Sequence, residues 1–150
     1  MGGWVALRLA QMMPERVAGL VGIAVAPDFT ERSLWAGMGP AEREELEATG
    51  RLERPSPYSE EPYIFTNKLI ETGRDNLVLD KALPLPFPVR LFYGTADDAV
   101  PIATQMDLLA VAQCSDLTLT LVHNADHRLS EPTDLARMVG AVNELANLAT

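Results

Sequence analysis

The 150-residue sequence contains a single cysteine, Cys114, so no disulfide can close within the chain. Cys114 follows a helical pattern, has no metal-ligand spacing around it, and is expected to be a buried structural thiol. Basic residues are also few: 12 Lys and Arg stand against 21 Asp and Glu, a formal net charge of −9. That balance argues against nucleic acid or an anionic membrane surface as partner, because no basic patch is present to neutralise phosphate. No stretch approaches the roughly 20 apolar residues of a membrane span. The N-terminus shows no basic region followed by an apolar core, so no signal peptide is visible and a cytoplasmic location is expected. Met1-Gly2-Gly3 opens like a myristoylation site, but Ala6 stands where Ser or Thr is required. No cluster of His, Cys, Asp and Glu has metal spacing and no glycine loop suits a phosphate, so neither metal nor cofactor is called for. What is present is 47% apolar and 22% charged, the composition of one globular domain with a real core.

Residues 2–13 read as a helix, with Val5, Leu9 and Met12 at helical spacing and Pro14 as its stop. Val17 to Val25 is a continuous apolar run, as in a strand buried on both faces of a parallel sheet. Residues 29–86 differ in character: a charged helix over Glu42–Glu47 with Gly50 as its C-cap, a loop through Pro55 and Pro57, a second helix over Tyr63–Thr72, and a short third element over Asp75–Leu79. This stretch reads as a small lid-like insertion, with 1–28 and 87–150 forming the sheet core. Val89–Tyr93 and Leu117–Val122 are further strands. Ile102–Gln113 is a helix by period, and Glu131 to Leu148 is another, with a stripe of Leu135, Met138, Val139, Val142, Leu145 and Ala146. The order predicts an α/β fold of three adjacent parallel strands with flanking helices.

Two of those strands end on chemistry. Gly94-Thr-Ala-Asp97-Asp98 follows one, and Asn124-Ala-Asp126-His127 follows the other. In open parallel sheets the C-terminal strand edge is where ligands bind. An acid and a histidine on adjacent tips are two parts of a nucleophile–base–orienter triad. Asp97 or Asp98 can supply the acid. Of the two histidines, His123 sits at the strand end and reads as structural, whereas His127 lies in the following loop and suits proton transfer near neutral pH. Asp126 reads as a turn residue. Trp4 suits core packing or a pocket wall, and Trp35, Met38, Tyr58, Tyr63 and Phe65 suit either the core of the insertion or an acyl pocket.

Met1-Gly2-Gly3-Trp4 resembles the second half of the Gly-x-Ser-Met-Gly-Gly nucleophile elbow of α/β-hydrolases. Gly94-x-x-Asp97-x-x-Val100-Pro101 resembles the acid turn of that superfamily, and Asp126-His127-Arg128-Leu129-Ser130 its histidine turn. Asp28-Phe-Thr-Glu and residues 54–63 are similar to a narrower group of acyl-protein thioesterases that also cleave acyl glucuronides, with a mitochondrial member and bacterial relatives. The resemblance covers essentially the whole chain but only the C-terminal part of the superfamily's fold. It implies a serine hydrolase, a carboxylesterase or acyl thioesterase, acting on a small-molecule acyl ester or thioester without a cofactor. It selects Asp97 as the orienting acid, gives His127 as the base and the Met1 backbone N–H as an oxyanion-hole donor, and puts the serine immediately before Met1. It also implies the mitochondrial matrix as the location in a eukaryote.

Ser33, Ser56, Ser59, Ser115 and Ser130 all lack the flanking glycines of an elbow. The 150 residues alone are therefore expected to be inactive, and to self-associate through an uncovered edge of the first strand. The alternative is a non-catalytic fragment or pseudoenzyme that binds a small molecule or a second chain.

Overall fold

The computed structural model describes residues 1–56 and 59–149. In chain order its elements are α1 (Gly2–Met12), β1 (Leu20–Ile23), α2 (Pro40–Thr49), β2 (Arg51–Arg54), β3 (Tyr63–Thr66), α3 (Asn67–Arg74), β4 (Leu83–Pro84), β5 (Val89–Gly94), α4 (Ile102–Val111), β6 (Ala112–Gln113), β7 (Leu117–Val122) and α5 (Pro132–Leu148). They divide into two compact units: Met1–Pro27 with the chain from Val78 onward, and Asp28–Leu77.

The first unit is built on a three-stranded parallel sheet in the order β1-β5-β7. Leu20 pairs with Val89, and Val89 in turn with Leu117, so the three strands start level; β1 is only Leu20–Ile23, shorter than the apolar run Val17–Val25, and ends opposite Phe92, two residues before β5 and β7. β5 is central, and Val89, Leu91, Phe92 and Tyr93 are all buried, as expected of a strand covered on both faces. Its one charged residue, Arg90, reaches Asp116 before β7 through two hydrogen bonds of 2.8 and 3.1 Å, and Glu144 on α5 at 2.6 Å. The bonds to Asp116 and then to Glu144 push the guanidinium above its usual range, and Arg90 in return holds the Asp116 carboxyl below its own. On the α5 side of the sheet, Ala24, Phe92, Leu129, Met138 and Ala141 form one apolar cluster.

Three sequence expectations change in this unit. The sheet-core segment resumes at Val78, not at residue 87, because Val78, Leu79, Leu83 and Leu85 are buried and β4 pairs in parallel with β6. That pairing also ends α4 at Val111, two residues before Gln113. α1 presents a different face from the expected one, and α5 buries only Met138 and Leu145 of its expected stripe. α1 buries Trp4, Leu7 and Ala10 while Val5, Leu9 and Met12 are exposed, and α5 buries Met138, Ala141 and Leu145 while Leu135, Val139 and Val142 are exposed. Each helix carries two apolar stripes, and period alone does not say which one meets the sheet.

The second unit has its own core of Leu34, Met38, Leu46, Leu52 and Ile70, with Trp35, Phe65 and Leu69 packed against it. Met38, Trp35 and Phe65 thus serve as core, while Tyr63 is exposed; Tyr58 lies outside the described residues. Gly50 caps α2 at φ +76°, the left-handed geometry that a side chain resists. Tyr63–Thr66 is a strand instead of the first turn of a helix, because it pairs antiparallel with β2, which the charged sequence of Arg51–Arg54 did not announce. Helix begins only where the Thr66 hydroxyl accepts the Leu69 N–H as an N-cap. Residues 75–79 form no element of their own. Thr30–Trp35 forms a π-helical turn, and the guanidinium groups of Arg43 and Arg74 each lie 4.8 Å from the Trp35 ring.

Candidate active site

The loops leaving β5 and β7 are stitched together before any functional side chain enters. Thr95 N–H donates to the Val122 carbonyl and Ala96 N–H to the Ala125 carbonyl, both at 2.9 Å. Asn124 N–H returns a bond to the Thr95 hydroxyl at 2.9 Å. Gly94 is needed where they meet: a Cβ there would strike the backbone carbonyls of Ala125 and Asp126.

This stitching brings Asp97 and His127 into contact. Asp97 Oδ2 lies 2.9 Å from His127 Nδ1. Its Oδ1 accepts two backbone N–H groups, from Ala99 and Val100, at 2.9 Å each. The Asp97 carboxylate is fully buried, whereas the His127 side chain keeps 36% of its surface exposed. A neutral His127 then carries its proton on Nδ1 and donates it to the carboxylate, leaving Nε2 as the nitrogen free to take a proton. Asp98 is exposed and makes none of these bonds; His123 is exposed in the turn after β7. Asp126 is a turn residue, its Oδ1 accepting the N–H groups of Arg128 and Leu129.

Supports that the sequence did not announce hold this pair. The Tyr93 hydroxyl, at the end of β5, donates to the Val100 carbonyl at 2.7 Å and closes the acid loop from beneath. Burial, followed by the charge of Asp97, pushes the Tyr93 phenol up. Leu129 has φ +45°, uncommon for a branched residue, and is 1% exposed within the cluster under α5, so packing fixes the histidine loop in a conformation the chain would otherwise avoid. Tyr93 and Leu129 read in sequence as ordinary apolar positions, and nothing in residue type marks their second task.

Met1 is the N-cap of α1, and its carbonyl accepts the N–H groups of Trp4 and Val5. Gly3 sits against Val25: a Cβ on Gly3 would lie 2.5 Å from Val25 Cγ1. Trp4 is buried in the core. Cys114 is half-buried and donates to the Phe87 carbonyl. Among the described residues no cluster could hold a metal ion, and no helix is long and apolar enough to cross a membrane.

A crystal structure from Agrobacterium vitis S4, assigned as a hydrolase, matches 97% of this chain and 58% of its own with a TM-score of 0.91 and 42% identity. The α/β-hydrolase domain-containing protein 10 from mouse matches 99% of this chain and 59% of its own, with a TM-score of 0.85 and 26% identity. The chain is a partial member of the α/β-hydrolase superfamily. Among curated proteins it is similar to the human mitochondrial palmitoyl-protein thioesterase ABHD10, 32% identical over 147 residues. That match takes in 97% of this chain and 47% of the human protein, so the chain spans about half the length of its curated relatives. No family model matches the chain.

Proposed function

We propose that the chain carries the acid and base of a serine hydrolase that cleaves an acyl ester or thioester. The observation that supports this reading is the Asp97–His127 pair. One carboxylate oxygen is held by two amides, the other takes the imidazole N–H, and the ring's second nitrogen is left for a substrate-side proton. The similarity to palmitoyl-protein thioesterases suggests an acyl thioester as substrate and, in a eukaryote, a mitochondrial location.

In this reading a serine lies immediately ahead of Met1 in a longer chain. Its hydroxyl attacks the acyl carbonyl and passes its proton to His127 Nε2. Asp97 stabilises the imidazolium and fixes its orientation. The N–H of Met1, then a peptide amide, donates to the oxyanion. His127 returns the proton to the leaving alcohol or thiol, and water releases the acid from the acyl-serine in a second round of the same steps.

The test begins with the DNA immediately upstream of the Met1 codon. An in-frame Gly-x-Ser is expected there, and the protein extended through it should hydrolyse a p-nitrophenyl ester. An inactive extended protein would favour the non-catalytic alternative, and a His127-dependent rate from the 150 residues alone would defeat the placement of the nucleophile ahead of Met1.

A further inference from the structure

Gln105 is a polar residue in the wrong place for solvent. It lies on α4, directly after the acid loop, and is fully buried. Its Nε2 donates to the Val25 carbonyl at 2.7 Å, a contact 80 residues apart in sequence. The acceptor is a carbonyl, so the amide orientation is settled: the nitrogen must face Val25. Its Oε1 has no partner among the described residues. A buried amide with an unmet acceptor is costly, and a leucine or methionine would avoid that cost.

The carbonyl that Gln105 holds lies two residues beyond the end of β1. β1 ends at Ile23, and Ala24, still bonded through its N–H to the Phe92 carbonyl, turns to φ +43°. The Val25 side chain is then wedged between two glycines. A Cβ on Gly3 would lie 2.5 Å from Val25 Cγ1, and one on Gly22 2.7 Å from the same atom. Val25 is therefore a surface on which the first turn of α1 rests, and the Gln105 amide holds the Val25 carbonyl.

Building on the serine-hydrolase reading, we propose that Gln105 is a positioning residue for the reaction. Its hydrogen bond ties the helix that follows Asp97 to the seat of the α1 N-terminus, and so holds the acid–base pair in register with the Met1 amide. It touches neither substrate nor reacting atoms. It acts through Val25 and Gly3.

The first experiment needs no activity. Hydrogen exchange read by mass spectrometry on the 150-residue chain compares Gln105→Met, which keeps length and loses the donor, with the parent. Protection of the first turn of α1 should fall by about tenfold or more while that of α5 is unchanged. An unchanged first turn, or an equal loss in both helices, would overturn the proposal. Should Gln105→Met fail to fold, Gln105→Glu takes its place. Its protonated form can donate to Val25 and its ionised form cannot, so α1 protection, corrected for intrinsic rate, should be kept at low pH and lost at high pH. The same protection at both would also overturn the proposal.

The second experiment uses the extended, esterase-active protein. Gln105→Met should lower kcat by about tenfold with KM unchanged, the signature of misplaced groups. An unchanged kcat would overturn the catalytic part of the proposal. An extended parent with no esterase activity would instead remove the serine-hydrolase reading, and the exchange result would stand apart from it.

Discussion

A carboxylate with two amides on one oxygen and an imidazole on the other cannot rotate without breaking a bond, and Asp97 is such a group. In the extended protein Asp97→Asn should lower kcat by roughly 10⁴-fold, because the amide holds the ring in the wrong tautomer. Asp98→Asn should change it by no more than about threefold, as for an exposed site outside the network. Esterase kinetics on the two variants decide between neighbours that sequence alone left open, and a larger loss in the Asp98 variant would reverse the assignment. Tyr93 gives a second test at this scale. Tyr93→Phe leaves the Val100 carbonyl without its partner and should cost about 1–2 kcal/mol in a urea melt at neutral pH. The phenol's pKa is raised in the folded protein, so its favourable contribution is complete below the ordinary tyrosine range. That contribution is lost as pH climbs through the folded value. The parent should therefore lose stability above pH 10 more steeply than Tyr93→Phe, and parallel curves would contradict this. Aspartate and histidine were legible in the sequence because few residue types can do their work. Tyr93 was not, because its ring satisfies the strand pattern and its hydroxyl adds no signal.

At the level of elements, the three strands were legible and the faces of the helices were not. Apolar runs bounded by turns specify β1, β5 and β7; the burial of β5 fixes its register, whereas β7 only alternates half-buried with exposed positions along its first four residues. α1 and α5 are apolar around much of their circumference, so the stripe that meets the sheet is chosen by packing. The β2–β3 hairpin was missed because Arg51 and Glu53 suit a solvated helix as well as a strand; only pairing with Tyr63–Thr66 decides. The junction of the two loops is the most sensitive element contact. Gly94→Ala drives a methyl group into the Ala125 and Asp126 carbonyls, and the loops must part. A loss of about 1–3 kcal/mol is expected on a thermal or urea melt. The downfield imidazole N–H resonance of His127 should vanish with it, and a sharp, unshifted resonance would show that the loops tolerate the methyl.

On the scale of the whole molecule, the first unit shows apolar surface that its own residues do not cover. Val5, Leu9 and Met12 are exposed on α1, Leu135, Val139 and Val142 on α5, and β1 has a strand neighbour on one side only among the described residues. Patches of this kind mark contact surfaces, and an open strand edge invites pairing. The 150 residues alone should therefore self-associate at micromolar concentration. Extension upstream should give a monomer with a melting temperature higher by 10 °C or more, as burial of that surface would produce (an order-of-magnitude figure, roughly 3–5 kcal/mol at about 2–4 °C per kcal/mol). Size-exclusion chromatography with light scattering and a thermal melt check both, and a sharp-melting monomer from the short chain would refute the expectation. The stitched loops carry a further consequence. Thr95, Ala96 and Asn124 bind the acid turn to the histidine turn without help from α1. Asp97 and His127 therefore travel as one rigid body. Bringing them to an attacking group is a single docking problem with six degrees of freedom, and any misalignment shifts both residues together.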